Sequence, residues 1–201
     1  KRQITIPEGL TSAQITDLIN NAPALDGVLS PDMLPEGSIL AETYSYEYGD
    51  TRQQVLSRMK SALVKLMDEL WPKRAEGLPY ETRAEALVLA SIVEKETGLA
   101  RERGKVAGVF VNRMRKNMKL QSDPTVIYAM TNGNIQDDGQ GPLGRRLLRK
   151  DLSYDSPYNT YKYRGLPPGP ISLPEIQALD AVLQPEEHSY LYMCAKEDFS
   201  G

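Results

Sequence analysis

The amino-acid sequence predicts an α+β fold, in which a small module of mixed helix and strand precedes a larger domain of helices and strands. Three patterns indicate this: short strand-like runs near both ends, several amphipathic helices, and one helix that is apolar nearly all round. The chain has 201 residues, of which 40% are hydrophobic and 25% are charged, so it can form a substantial core. We expect a first module at residues 1–50 and a second domain at residues 51–201.

The first module alternates between strand-like and helical segments. Residues 3–6 indicate a short strand, and Thr11 or Ser12 can cap a helix that runs to about Ile19. A turn-rich stretch then leads into residues 39–48, which indicate a second strand. This order of elements resembles a carbohydrate-binding module of the LysM type, and a generic α+β subdomain has the same pattern.

The second domain is predicted to consist mainly of helices, followed by one strand. Residues 86–93 are apolar nearly all round, which predicts a helix that is buried on most of its sides. Residues 132–144 are rich in Asn, Gly and Asp and predict an exposed loop, whereas residues 190–195 predict a buried strand that contains Cys194, the single cysteine. The predicted helices span residues 51–70, 82–97, 102–116, 126–130 and 175–183.

The composition argues against several classes of protein. A net charge of −3 is unlike the basic excess of nucleic-acid-binding proteins. One Cys and one His, His188, allow no internal disulfide and show no metal-ligand spacing, so no metal or cofactor is expected. There is no run of ~18 apolar residues that could span a membrane. The chain opens on Lys1 without a starting Met, and we expect any anchor or export signal to precede it.

Catalytic chemistry is expected first at Glu94, which lies near the end of the apolar helix. Burial disfavours a charged carboxylate, so the pKa of such a group rises and suits a general acid near neutral pH. Glu96 lies two positions further on, where a helix points to a different side, so we expect only Glu94 to enter the cleft, beside Ser91. The alternative is that both glutamates are solvated charges at a helix end.

A second candidate segment combines an amide, hydroxyl groups and a carboxylate just before a helix start. Such groups can bind sugar hydroxyls, although Ser122 or Asp123 could instead cap the helix. The candidates for sugar binding in this segment are Gln121, Ser122, Asp123 and Thr125.

A third candidate segment has aromatic residues beside an Asn. Tyr158 and Tyr161 could stack on sugar rings, and Asn159 could bond to ring hydroxyls or acetamido groups. The Pro- and Gly-rich residues 165–171 would hold this loop stiffly. The alternative is a structural turn with tyrosines in the core.

Five blocks, taken in order, resemble the YceG-like endolytic murein transglycosylases. The resemblance covers roughly residues 35–195, and residues 1–34 resemble the end of the LysM-like region that precedes the catalytic domain in this family. The five blocks are residues 90–97, 109–113, 120–128, 156–161 and 165–171.

The resemblance implies a lyase that cuts nascent peptidoglycan strands internally, between N-acetylmuramic acid and N-acetylglucosamine, and leaves 1,6-anhydro ends. It implies Glu94 as the single acid and then base, with Glu96 as a supporting group tied to an Arg or Lys, and it implies no cofactor. It also implies a single-pass protein of the bacterial inner membrane, with its catalytic domain on the periplasmic face. The implied partners are glycan strands and the peptidoglycan synthases of the elongation machinery.

Two other functions remain open from the sequence. A muramidase-type hydrolase would need a second carboxylate in the cleft, such as Glu96 or Asp123. A non-catalytic scaffold would bind peptidoglycan without cutting it.

Overall fold

The computed structural model describes residues 1–135 and 142–193, and it confirms the α+β fold. Over these two ranges the chain forms a two-stranded sheet and six α-helices, joined by turns and by short 3-10 segments. No helix in these ranges is long and apolar enough to cross a membrane. In chain order the elements are β1 (Arg2–Thr5), α1 (Ser12–Asn20), β2 (Thr43–Tyr46), α2 (Arg52–Leu70), α3 (Arg83–Glu96), α4 (Ala100–Arg115), α5 (Asp123–Thr131) and α6 (Ile176–Leu183).

Three helices begin at a threonine that caps them. Thr11, Thr51 and Thr82 each accept a hydrogen bond from the backbone N–H three residues further on. The Gln or Glu side chain at that position accepts one in return from the threonine's own N–H. This reciprocal pair satisfies two backbone donors that a helix start leaves unpaired, and such a cap contributes roughly 1 kcal/mol. It explains why α1, α2 and α3 begin where the sequence predicted.

Most of the buried apolar residues among the first sixty, together with Leu173, form one hydrophobic cluster. Strands β1 and β2 pair antiparallel, with Arg2 opposite Tyr46 and Thr5 opposite Thr43. The first half of α2 packs against this sheet and α1, while the second half of α2 belongs to the next cluster. The likeness to a LysM module and the boundary after residue 50 therefore stay predictions. Members of this cluster include Ile4, Ile15, Ile19, Leu34, Tyr46, Val55 and Met59.

The second cluster is built around α3, which is buried on most sides as predicted. Leu89, Ile92 and Val93 are fully buried, and the helix packs against both α4 and α6. A helix that is packed on several sides cannot rotate about its axis without disrupting close-packed side chains. The positions of the two glutamates in its last turn are therefore fixed by the core.

The predicted strand at residues 190–195 is wrong for the four residues that the structure describes. Residues 190–193 form no strand, and Tyr190, Tyr192 and Met193 are exposed. Among the residues that the structure describes, the backbone there is bonded by side chains of α4 and not by a neighbouring strand: the Asn112 amide donates to the carbonyls of His188 (2.7 Å) and Tyr190 (3.0 Å). Over residues 51–135 and 142–193, the described part of the predicted second domain, the structure contains no β-strand.

Two other predictions fall on parts of the chain outside the described ranges. The expected burial of Cys194 is one of them. The predicted loop at 132–144 is the other, because its centre, residues 136–141, lies outside those ranges.

Candidate active site

The last turn of α3 carries both glutamates, and it sends them to different sides of the helix. Successive residues of a helix are rotated by about 100°, so positions 94 and 96 diverge by about 200°. Glu94 meets side chains of α4 and the start of α6, whereas Glu96 meets the start of α5. The sequence predicted this divergence correctly.

Glu94 is held in a buried ion-pair cluster. Its side chain is 5% exposed, and its two oxygens accept hydrogen bonds from the Arg103 guanidinium (3.2 Å) and from the backbone N–H of Glu175 (3.0 Å). Arg103 also forms an ion pair with the Glu175 carboxylate. Burial raises the pKa of Glu94, while the positive charge of Arg103 acts in the opposite direction. Both oxygens of Glu94 are thus engaged with protein groups.

Glu96 is partly buried and accepts a hydrogen bond from the Ser122 hydroxyl. Ser122 is itself fixed, since its backbone N–H donates to the Thr160 hydroxyl at 3.0 Å. Burial is the main cause of a raised pKa at Glu96, and the negative charge of Asp123 raises it further. The hydrogen bond from Ser122 and the charge of Arg113 lower it, with the net shift upward. Glu96 therefore favours its protonated form more than an ordinary glutamate does.

A cavity of about 410 Å³ opens beside Glu96. Its wall includes Gln121, Asp123 and Tyr161, which the sequence predicted as sugar-binding residues, and Glu94 is not part of that wall. The Tyr161 hydroxyl donates to the Asp123 carboxylate at 2.6 Å, and burial together with this bond raises the pKa of Tyr161. A cavity of this size, with a few converging polar groups, is typical of a small-ligand site. The prediction that Glu94 lies in the cleft beside these residues is wrong, because Glu96 occupies that place.

Arg113 is a residue of this cavity that the sequence prediction missed. Its guanidinium is buried and donates to the backbone carbonyls of Lys119 (3.1 Å) and Leu120 (2.9 Å), and to the Gln121 side chain (3.3 Å). These bonds hold the turn at Gln121, whose backbone has a positive φ of 54°. Arg113 thus shapes the wall that faces Glu96.

A signal for both buried arginines was present in the sequence. Positions 103, 106, 110 and 113 of α4 are three or four apart, so they share one face of the helix. Val106 and Phe110 identify that face as the core side. An arginine on a core face needs acidic or carbonyl partners nearby, which points to a polar cluster inside the domain.

Asn159 and Tyr158, which the sequence predicted as sugar-binding residues, make structural contacts within the protein. Asn159 is fully buried, and its amide donates to the carbonyls of Leu152 (3.0 Å) and Tyr154 (2.7 Å). Its side-chain oxygen accepts the N–H of Tyr161 at 2.9 Å. Tyr158 packs its ring on Tyr128, with centroids 4.9 Å apart. The Asn159 side chain is therefore enclosed and not exposed to a sugar, and it instead fixes the loop that carries Tyr161.

Thr125 and Ser91 are likewise structural. The Thr125 hydroxyl is fully buried and bonds to the carbonyl of Ser122 (2.6 Å) and to the hydroxyl of Thr160 (2.7 Å). The Ser91 hydroxyl donates to the carbonyl of Val88 and accepts the N–H of Ile171, which fastens the Pro- and Gly-rich segment to α3. These two residues position the site without lining the cavity at Glu96.

No group of three or more His, Cys, Asp or Glu side chains arranged for a metal ion occurs within the described ranges. The polar groups of the cavity are carboxyl, hydroxyl, amide and guanidinium groups. Such a set can supply a proton donor, a proton acceptor and hydrogen bonds to a polyhydroxylated ligand.

Three comparisons, with a family model, with known sequences and with a solved structure, all relate this chain to YceG-like proteins. A model of the YceG-like family matches residues 1–201. A Bacillus subtilis (strain 168) protein named endolytic murein transglycosylase is 46% identical over 163 residues, which are 81% of this chain and 42% of that protein. A Streptococcus pneumoniae serotype 2 protein of the same name is 32% identical over 166 residues, which are 80% of this chain and 28% of that protein. The chain thus spans less than half the length of either relative.

A solved structure is also similar. The 2.6 Å crystal structure of a yceG-like protein from Listeria monocytogenes superimposes with a TM-score of 0.71 at 31% sequence identity. The match covers 96% of this chain and 70% of that chain. The likeness therefore extends over the helices that build the cavity.

Proposed function

This chain belongs to the YceG-like family, and we propose that it is the catalytic part of a lytic transglycosylase that cuts peptidoglycan glycan strands internally. The proposal rests above all on one observation: a carboxyl group with a raised pKa, Glu96, lines a cavity together with sugar-binding types of side chain. The names of the Bacillus and Streptococcus relatives support the substrate class. We propose the bond between N-acetylmuramic acid and N-acetylglucosamine as the one that is cleaved.

In the proposed mechanism one carboxyl group acts twice. Protonated Glu96 donates its proton to the glycosidic oxygen, and the C1–O bond of the muramyl sugar breaks through an oxocarbenium-like state. The Glu96 carboxylate then removes the proton from the C6 hydroxyl of the same sugar, and that oxygen bonds to C1. The product is a 1,6-anhydro end, no water is consumed, and Glu96 returns to its protonated form.

The surroundings of Glu96 suit both steps. Burial and the nearby charge of Asp123 favour the protonated acid before cleavage. The Ser122 hydroxyl can donate to the carboxylate that forms after proton transfer, and Ser122 is held in place by Thr160. Burial favours the protonated form of Glu96, which the first step needs as an acid, and the hydrogen bond from Ser122 favours the carboxylate, which the second step needs as a base.

Glu94 is the second candidate for the acid/base, because the family resemblance implies it and burial raises its pKa as well. Its contacts with Arg103 and the N–H of Glu175 favour a different role. We propose that Glu94 is a positioning residue that locks α3 against α4 and α6. The pair of variants described in the Discussion separates the two assignments.

A muramidase-type hydrolase is the second candidate function. The observation that favours it is that Asp123 and Glu102 line the same cavity as Glu96, so a second carboxylate is available there. Such a carboxylate could direct a water molecule at C1, and the new end would then be a reducing sugar.

The two functions give different products from uncrosslinked glycan strands. We expect almost all new ends to be 1,6-anhydro sugars, which are lighter than hydrolysed ends by one water and are not reduced by borohydride. Mass spectrometry before and after borohydride treatment measures both properties. If most new ends are reducible, the lyase assignment is wrong and the protein is a hydrolase. If the protein binds the strands but leaves them intact, the non-catalytic scaffold is favoured.

We also propose that the catalytic domain works on the outer face of the bacterial inner membrane, held by an anchor outside this chain. Nascent glycan strands are made at that face, so a domain located there would meet its substrate. We propose peptidoglycan synthases of the elongation machinery as partners for the same reason.

A further inference from the structure

The last described segment of the chain, residues 185–193, runs along α4 as an extended strap. Two hydrogen bonds to the backbone of α4 start it: the N–H of Glu186 donates to the carbonyl of Gly104 (3.0 Å), and the His188 ring bonds to the carbonyl of Lys105 (2.9 Å). A side-chain methyl group at Gly108 would lie 2.4 Å from the carbonyl oxygen of Glu186, so only glycine permits this close approach.

The far end of the strap is held by two side chains of α4. The Asn112 amide donates to the carbonyls of His188 and Tyr190, and Nε of Arg113 donates to the carbonyl of Leu191 at 2.6 Å. An Asn amide that bridges two carbonyls fixes the direction of the backbone between them. The strap is therefore held at several points on α4 and ends at a defined place on the molecule.

That place is the cavity of Glu96. Tyr192 and Met193 line the cavity, although 67% of the surface of Tyr192 is exposed. The Arg113 guanidinium lies 5.1 Å from the centre of the Tyr192 ring. This cation–π contact helps to hold the ring in place. The strap thus holds a largely exposed aromatic ring at the edge of a cavity that also contains the proposed acid.

We propose that Tyr192 is a sugar-stacking residue and that Asn112 is a positioning residue that acts through the strap. The proposal rests on the proposed function. A pyranose ring has one face of C–H groups, which carry a small positive charge and pack favourably on the negative face of an aromatic ring. Tyr161 belongs to the same wall but is tied by its hydroxyl to Asp123, whereas Tyr192 is largely exposed and has Arg113 over one face of its ring. A sugar in this cavity could therefore stack on the other face of the Tyr192 ring.

The test compares four single substitutions in the full-length protein, assayed on uncrosslinked glycan strands. Tyr192→Ala is expected to raise KM by about tenfold and to change kcat by less than about threefold, because stacking binds substrate and transition state alike. Tyr192→Phe keeps the ring and is expected to stay within about twofold of the parent KM. Tyr190→Ala is the matched control, since Tyr190 lies in the same strap, is exposed, and does not line the cavity.

Asn112→Ala tests the positioning role. It is expected to raise KM in the same direction as Tyr192→Ala and to speed hydrogen exchange of the backbone N–H groups of residues 188–192, because two carbonyls lose their donor. A single cooperative thermal unfolding transition above the assay temperature would show that each variant is folded.

The proposal is overturned if Tyr192→Ala leaves KM unchanged, or if Tyr190→Ala or Tyr192→Phe raises KM as much as Tyr192→Ala does. The parent protein separates this failure from a failure of the proposed function. If the parent forms 1,6-anhydro ends while Tyr192→Ala keeps the parent KM, only the role of Tyr192 is lost. If the parent cuts no strands, both proposals fall.

Discussion

Glu96→Gln is expected to lower the rate of glycan cleavage by about 10²–10⁴-fold, the usual effect of losing a general acid/base. Gln has nearly the same shape and still accepts the hydrogen bond from Ser122, but it cannot donate a proton to the glycosidic oxygen. The rate of release of anhydro ends from uncrosslinked strands measures the loss. Retention of more than a tenth of the parent rate would remove Glu96 from the mechanism.

Glu94→Gln is the matched control for this substitution, because it makes the same chemical change two residues away on the same helix. Its amide oxygen can still accept a hydrogen bond from Arg103, and we expect a loss of less than about tenfold. A greater loss for Glu94→Gln than for Glu96→Gln would reverse the assignment and return the catalytic role to Glu94.

The stability of the Glu96→Gln protein provides the control for folding. Burial raises the pKa of Glu96, so the native state holds the proton more tightly than the unfolded chain does. The free energy of unfolding therefore falls as the pH rises from the ordinary value of a glutamate through the raised pKa. Gln carries no such titration, and the variant is expected to be at least as stable as the parent at neutral pH.

Arg103→Met is expected to lower the free energy of unfolding by about 3–5 kcal/mol at neutral pH. The substitution leaves Glu94 without its buried cationic partner and removes the ion pair with Glu175. Urea unfolding of both proteins measures the difference, which is expected to narrow as the pH falls, because protonation neutralises the stranded carboxylates.

Two further proteins sharpen this test. Arg101→Met changes an exposed arginine two positions earlier in α4 and is expected to stay within about 0.5 kcal/mol of the parent. The double variant Arg103→Met with Glu94→Gln removes one stranded charge and is expected to recover part of the lost stability. If Arg103→Met costs less than about 1 kcal/mol, the cluster does not lock α3 in the way we propose.

The sequence predicted the helices well because their signals are local. Caps at Thr11, Thr51 and Thr82 and the apolar run at residues 86–93 each act over a few residues. The strap misled the prediction because alternating aromatic and aliphatic residues also occur in strands. Only the tertiary structure shows that the side chains of Asn112 and Arg113 donate hydrogen bonds to the backbone of this segment.

The choice between Glu94 and Glu96 could not be made from the helix pattern. An amphipathic helix reveals its buried face, but α3 is buried nearly all round, so periodicity does not indicate which side meets a cavity. Our proposed assignment rests on Arg103 of α4 and Ser122 at the start of α5, which lie 9 and 26 residues away from their partners in sequence. The structural role of Asn159 could not be predicted for a related reason. Its partners are backbone carbonyls, which every residue has, so no residue type in the sequence identifies them.

The most direct test of the account is a crystal structure of the Glu96→Gln protein with an uncrosslinked glycan strand bound. We predict that the strand occupies the cavity formed by Gln121, Asp123 and Tyr161, with a sugar ring on Tyr192. One glycosidic oxygen is expected within about 2.6–3.2 Å of the side-chain amide at position 96, the reach of a general acid. A strand bound elsewhere, or one whose glycosidic oxygen meets Glu94 instead, would contradict the account.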